Sequence, residues 1–177
     1  MRFVNTRYLL RGQPQDLLGS ADSALDWLRS QDDLAELGIG QLAEADLNQT
    51  QLLALDELRD ALAELFGCAD RPLPADQVAT LNTMCRLSPT WLELDVHGQR
   101  KTRRQGSPLG AVRSAIAADG IELLNRQAGL VRQCAAPSCV VFFVADRPRR
   151  QWCCAACGNR ARVARHYQRQ HAAGTAR

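Results

Sequence analysis

No apolar run is sustained in the N-terminal stretch MRFVNTRYLLRGQPQDLLGS. That excludes a signal peptide or a membrane span there and makes a soluble, cytoplasmic protein the expectation. In a reducing compartment the seven cysteines favour metal binding or free thiols over disulfides. Enzyme signatures are missing too: there is no Gly-rich phosphate loop, no His-x-x-Glu set and no nucleophile elbow. The one acid/base pair, Asp95 with His97, falls in a predicted hairpin where such pairs are incidental, so no enzymatic activity is expected. Aromatic residues make up only 5% of the chain, leaving few platforms for stacking single-stranded bases. Repeats and low-complexity segments are absent before a C-terminal tail expected to fray from Gln170.

Acidic residues nearly vanish after residue 131. Residues 1–131 carry 13 Arg or Lys against 18 Asp or Glu, a net of −5, whereas residues 132–177 carry 9 Arg against Asp146 alone, a net of +8. A split of this size marks one end as the footprint of a polyanionic partner. The plainer alternative is a solvated tail in an arginine-rich protein, since 21 of the 22 basic residues are Arg. A hydrophobic fraction of 46% supplies a core for the first ~130 residues, but not for the last ~45 alone.

Pattern and punctuation predict a mixed α/β, α+β N-terminal domain. Phe3–Leu10 has the composition of a strand, which Gly12 and Pro14 interrupt. Ser20 caps a helix to about Gln31, while residues 36–45 show no firm period. Leu52, Leu55, Leu58, Leu62, Leu65 and Phe66 recur at helical spacing between Thr50 and Gly67, with Asp56, Arg59, Asp60 and Glu64 on other faces. A short helix follows Pro74, with Val78, Leu81 and Cys85 inward. Residues 91–104 read as a hairpin turning at Gly98, its Arg100, Lys101, Arg103 and Arg104 taken as a solvated edge. Ser107 and Pro108 then start a helix to about Arg126.

Four cysteines form two close pairs, Cys134-x4-Cys139 and Cys153-x3-Cys157, separated by thirteen residues that include a predicted strand, Val140–Val144. A thiolate quartet at about 2.3 Å holds a structural zinc ion. The neighbours Cys153 and Cys154 leave the second pair open. Cys154-x2-Cys157 is an acceptable spacing, and strand alternation separates the two sulfurs without naming the ligand. A disulfide is disfavoured by compartment, a redox pair lacks a βαβ surround, and catalytic zinc would need an open coordination position. Cys68 and Cys85 fit core packing.

The run Trp152-Cys153-x-x-x-Cys157-Gly158-Asn159-Arg160, preceded by Cys134-x4-Cys139 and Phe143-x-x-Asp146, resembles the CGNR zinc-finger family. Phe3-Val4-Asn5-Thr6, Arg11-Gly12 and Asp16-Leu17-Leu18 resemble the ABATE domain usually found ahead of that finger. The resemblance implies that Cys153 pairs with Cys157, so that Cys134, Cys139, Cys153 and Cys157 hold one structural Zn2+. Cys154 stands where the family typically has serine. It also implies a transcription regulator linked to stress.

The expected organisation is an ABATE-like domain over residues 1–130, a treble-clef-like zinc finger over 131–171 and a frayed tail over 172–177. Asn159 is expected to cap a basic helix beginning at Arg160. Arg162, Arg165, His166 and Arg169 share one face, with Val163, Ala164 and Tyr167 packing opposite on Phe142, Phe143 or Trp152. Arg149, Arg150 and Arg160 either offset the thiolate charge or join that face against nucleic acid. DNA is the expected partner, with RNA or an acidic protein as alternatives. The N-terminal domain is left for ligand sensing, protein contact or homodimerisation, the last because a lone module buries only about 600–1,000 Å² on DNA.

Overall fold

Three of the long helices open on a residue whose side chain satisfies a first free amide. Ser20 and Ser23 exchange side chain-to-amide bonds in a capping box ahead of α1 (Ala21–Arg29). Asn48 Oδ1 accepts from the Gln51 amide ahead of α2 (Gln49–Gly67). Pro74 precedes α3 (Ala75–Cys85), and Ser107 Oγ accepts from Gly110 at the start of α4 (Pro108–Gln127). The computed structural model describes residues 1–10, 12–68, 72–127 and 129–174, with side chains through Gln170. Arg11 and the tail beyond Gly174 lie outside the described residues.

Helices α2, α3 and α4 pack on one another and build the core. It contains Leu55, Leu58, Leu62 and Leu65 of α2, Leu81 and Met84 of α3, and Leu109, Val112 and Ile116 of α4. Full burial of each such side chain contributes about 1.5–3 kcal/mol. Gly120 lets α4 approach α2, since a Cβ there would lie 2.3 Å from Leu62 Cδ2. The inward stripe of α3 differs from expectation: Leu81 and Met84 are buried, while Val78 and Cys85 are only partly covered.

The expected strand at residues 3–10 is half helical turn. Phe3 and Val4 are adjacent and both buried, which an alternating strand cannot provide. Val4–Thr6 therefore form a 3-10 turn, and only β1 (Arg7–Leu10) is extended. It pairs antiparallel with β2 (Gln13–Asp16) around Gly12, whose φ of +82° suits glycine. Pro14 is tolerated because this ribbon has only two strands. Residues 32–46 lack a period because they form three short 3-10 helices, with Leu34, Ile39 and Leu42 dropped into the core.

Strands β3 (Thr90–Leu94) and β4 (Arg100–Arg104) form the predicted hairpin, which is exposed throughout. The C-terminal segment begins with a third antiparallel pair, the hairpin of β5 (Val131–Gln133) against β6 (Phe142–Val144). Sequence pattern showed only its second strand, which lies in the apolar run 140–144, whereas β5 carries a single apolar residue, Val131. Val131 and Phe142 belong to the N-terminal core, and the Phe142 ring lies 6.2 Å from that of Phe66. Asn5 completes the junction by donating to the Phe142 carbonyl and accepting from its amide, both at 2.8 Å. Its side chain thus stands in for a neighbouring strand. The chain ends in α5 (Ala155–Gly174). No helix among the described residues is long and apolar enough to cross a membrane.

Candidate metal centre and basic helix

The first cysteine pair lies at the tip of the β5–β6 hairpin. Cys134 N bonds to Val141 O, and Cys139 N bonds back to Ala136 O across Ser138, whose φ is +60°. The strand predicted between the two cysteine pairs is β6, and its partner β5 precedes Cys134, so the strands straddle the first pair. Ala135 N bonds to Gln151 O and brings the second pair alongside. Cys153 just precedes α5, and Cys157 lies in its first turn. The helix begins five residues before Arg160, so Asn159 is not its cap but accepts a hydrogen bond from Arg162. The thiols instead gain from the partial positive charge at the helix start.

The sulfurs of Cys134, Cys139, Cys153 and Cys157 all lie within 4.8 Å of one another. Cys153 is 3.5 Å from Cys157 and 4.0 Å from Cys139, and Cys157 is 3.8 Å from Cys139. A tetrahedron with zinc–sulfur bonds of about 2.3 Å has edges of about 3.8 Å, close to these three separations, so the quartet suits zinc. Burial first, then the thiols of Cys154 and Cys139, push Cys157 up to about 11, and Cys153 is raised as well. Burial works the same way on Cys134, but amides donated by Cys153 and Ala136 hold it below the ordinary thiol value. A divalent cation reverses the raised values, because the thiolate is the ligand form. Cys154 is exposed and outside the quartet, though its sulfur is 3.9 Å from that of Cys153. The ligand set that the family resemblance implies is therefore the one that converges.

The arginines divide between this centre and solvent. Arg160 Nη2 donates to Cys157 Sγ at 3.3 Å. Arg150 donates to the carbonyls of Trp152 and Cys153 and lies 5.0 Å from the Phe143 ring centre. Arg160 thus contacts the thiols directly, whereas Arg150 braces the backbone carrying Cys153 and pairs with Asp146 at 3.5 Å. Arg165 sits 5.8 Å over Trp152, leaving its flank outward. Arg149, Arg162, His166 and Arg169 are exposed. The inner face of α5 is Cys157, Gly158 and Ala161, with Ala164 partly covered. The expectation for Val163 and Tyr167 is corrected: they are 54% and 58% exposed, because an early helix start and small residues bring α5 close to Trp152. At Gly158 a Cβ would lie 3.2 Å from that ring.

A second constellation has no motif spacing. Arg59, placed by the helical pattern on a polar face, is only 1% exposed. Its Nη1 donates to Thr6 and Asp16, and its Nη2 to Asp16 and Asp56. Arg7 pairs with Asp16, Asp56 and Asp60 around it. Burial works to raise the Asp16 carboxyl, but bonds from Arg59, the Leu18 amide and Arg7 hold it below its ordinary value. The available signal was the recurrence of Asp56, Arg59 and Asp60 on one helix together with Thr6 and Asp16 in the N-terminal resemblance.

Sulfur pairs at a hairpin tip and a helix start, followed by a long C-terminal helix, define a zinc-finger protein. Comparison with known families agrees: residues 131–170 match the CGNR zinc finger. Residues 1–127 match the ABATE family, described as "Putative stress-induced transcription regulator". The chain belongs to the ABATE family and carries a CGNR zinc finger behind the ABATE segment, so both resemblances are borne out. The family and the quartet together imply one zinc ion. No curated protein matches the chain.

Proposed function

We propose that the protein is a DNA-binding transcription regulator without catalytic activity, in which zinc fixes α5 as the element that meets the duplex. The observation that carries this reading is the outer face of α5. Arg162, Arg165 and Arg169 project from it with no acidic partner among the described residues, and exposed Arg149 extends the charge. Guanidinium groups suit phosphate contacts and bidentate contacts to guanine edges. Arg150 and Arg160 are committed to the metal centre, so about four cations remain, for a slope of log affinity on log salt near −4. RNA is the weaker partner, because Arg165 covers Trp152 and leaves Tyr167 as the finger's exposed aromatic.

In this role the protein acts in the cytoplasm, where thiols stay reduced. A homodimer through residues 1–130 would supply the second finger that tight site-specific binding needs, and a strict monomer by light scattering would remove that part. The central test is gel shift on duplex DNA and on RNA at two salt concentrations, with Arg162, Arg165 and Arg169 changed to Ala. Loss of DNA binding in the zinc-loaded variant is expected. Undiminished binding would overturn the reading, and a preference for RNA would redirect it.

A further inference from the structure

The β3–β4 hairpin stands clear of the core. Every residue of both strands is exposed, and the two form a sheet of their own. Trp91, Leu92, Leu94 and Val96 are 45%, 62%, 75% and 95% exposed. A two-stranded ribbon alone is marginally stable, and an open edge is a template for a further strand.

The two edges differ. Bonds from Asp95 N to Gln99 O and from Gln105 N to Pro89 O set the register, so odd-numbered residues bond across the ladder. The amides and carbonyls of Thr90, Leu92 and Leu94 therefore point away from β4, and those of Arg100, Thr102 and Arg104 point away from β3. One face of the ribbon is satisfied internally: Trp91 and Arg103 both donate to Glu93, and Lys101 pairs with Asp95 at 3.0 Å. On the other face Arg100 and Arg104 have no acidic partner among the described residues. Strand β4 thus has an edge guarded by cations, and β3 has an edge of leucines.

That asymmetry selects one pairing. Two β4 edges joined about Thr102 would set Arg100 of each copy against Arg104 of the other, and like charges directly opposite are destabilising. Pairing β3 with β4 of a second copy leaves an edge open at each end and propagates as a filament. Two β3 edges close on themselves. With Leu92 on the two-fold axis, Thr90 lies opposite Leu94 of the second copy and Trp91 opposite Glu93. Both cationic strands then lie at the outer rims, far from each other.

We propose that β3 is the dimer edge of this protein, joined by the β3 of a second copy antiparallel about Leu92 to give a four-stranded sheet. This deepens the homodimer part of the regulator reading and rests on that part alone; no contact with DNA is involved. Edge pairing covers little surface, so the dimer is weak, with a Kd of roughly 10–100 μM.

The test is sedimentation equilibrium of the zinc-loaded full chain from about 5 to 500 μM, with amide exchange measured at both ends of that range. The native chain should pass from monomer to dimer, and exchange at the Leu92 amide should slow about 3-fold or more while that at Thr102 does not. Leu92→Lys, which brings two ammonium groups together at the axis, should weaken the dimer about 10-fold or more with zinc content unchanged. Leu92→Pro removes an outward N–H and should do the same, whereas Thr102→Pro, its counterpart on the guarded edge, should leave the dimer intact. If a proline variant loses the hairpin, Leu92→Lys against Thr102→Lys decides. A native chain that stays monomeric throughout overturns both the edge and the homodimer. A dimer that the Leu92 variants share, or one weakened equally at Thr102, overturns the edge and leaves the homodimer standing. Growth beyond the dimer overturns the closed pairing.

Discussion

The ABATE segment and the finger reach order by opposite means. The first surrounds α2 with buried apolar side chains from its neighbouring elements, so its stability is a sum of many burials. The finger's own buried cluster is Cys134, Ala136, Cys157 and Ala161, with Phe143 and Trp152 beside it. Two alanines and four sulfurs cannot offset the entropy of ordering some forty residues, so coordination must supply the rest. One half should lose structure gradually as contacts are removed. The other should lose it with one ion.

The largest effect should come from the sulfurs. Binding of structural zinc contributes on the order of 10–16 kcal/mol of apparent free energy in finger peptides. Chelation or Cys153→Ser should therefore release α5 while α1–α4 persist, read as loss of amide protection confined to residues beyond 134. Cys154→Ser should keep one zinc per chain. The reverse pattern in the two cysteine variants would break the assignment of Cys153.

Next comes the charge cluster in the other half. Arg59→Met leaves Asp16 and Asp56 short of their buried partner and should cost about 3–5 kcal/mol in denaturant unfolding, with zinc content unchanged. Its pH signature follows from Asp16. A carboxyl held below its ordinary value stabilises the fold above the unfolded pKa of about 3.9 and loses that contribution as pH falls through the folded value. Acid should therefore destabilise the native chain below about pH 4 more than it does Asp16→Asn, a difference that thermal melts across that window would show.

The smallest effect probes the seam. Asn5→Ala removes both bonds to Phe142 and should cost about 1–3 kcal/mol. Faster exchange of the Phe142 amide, with the zinc quartet intact, would show that the halves are coupled there. Unchanged exchange would mean that the hairpin is held by the Phe142 ring alone.

How much could be read beforehand follows the same division. The caps of α1 and α4, the leucine period of α2 and the cysteine pairs are local patterns, and they appear where expected. The choice of Cys153 needed family resemblance, because spacing accepts either neighbour. Three features were illegible for a common reason. β5 offers a single apolar residue, Arg59 looks like any polar helix residue, and the early start of α5 depends on Gly158 fitting under Trp152. Each is decided by what approaches from a distant part of the chain, which no window of sequence contains.

The asparagine at the seam has one more implication. Because Asn5 and Phe66 floor the strand that leads out of the first cysteine turn, a fragment starting after residue 127 would keep all four sulfurs of the quartet yet expose a bare aromatic platform at Phe142. Trimming the first half dozen residues would uncover the same strand from below. The joint between the two matched segments is thus a shared plank rather than a tether, and the basic rod beyond it inherits its footing from the opposite end of the chain.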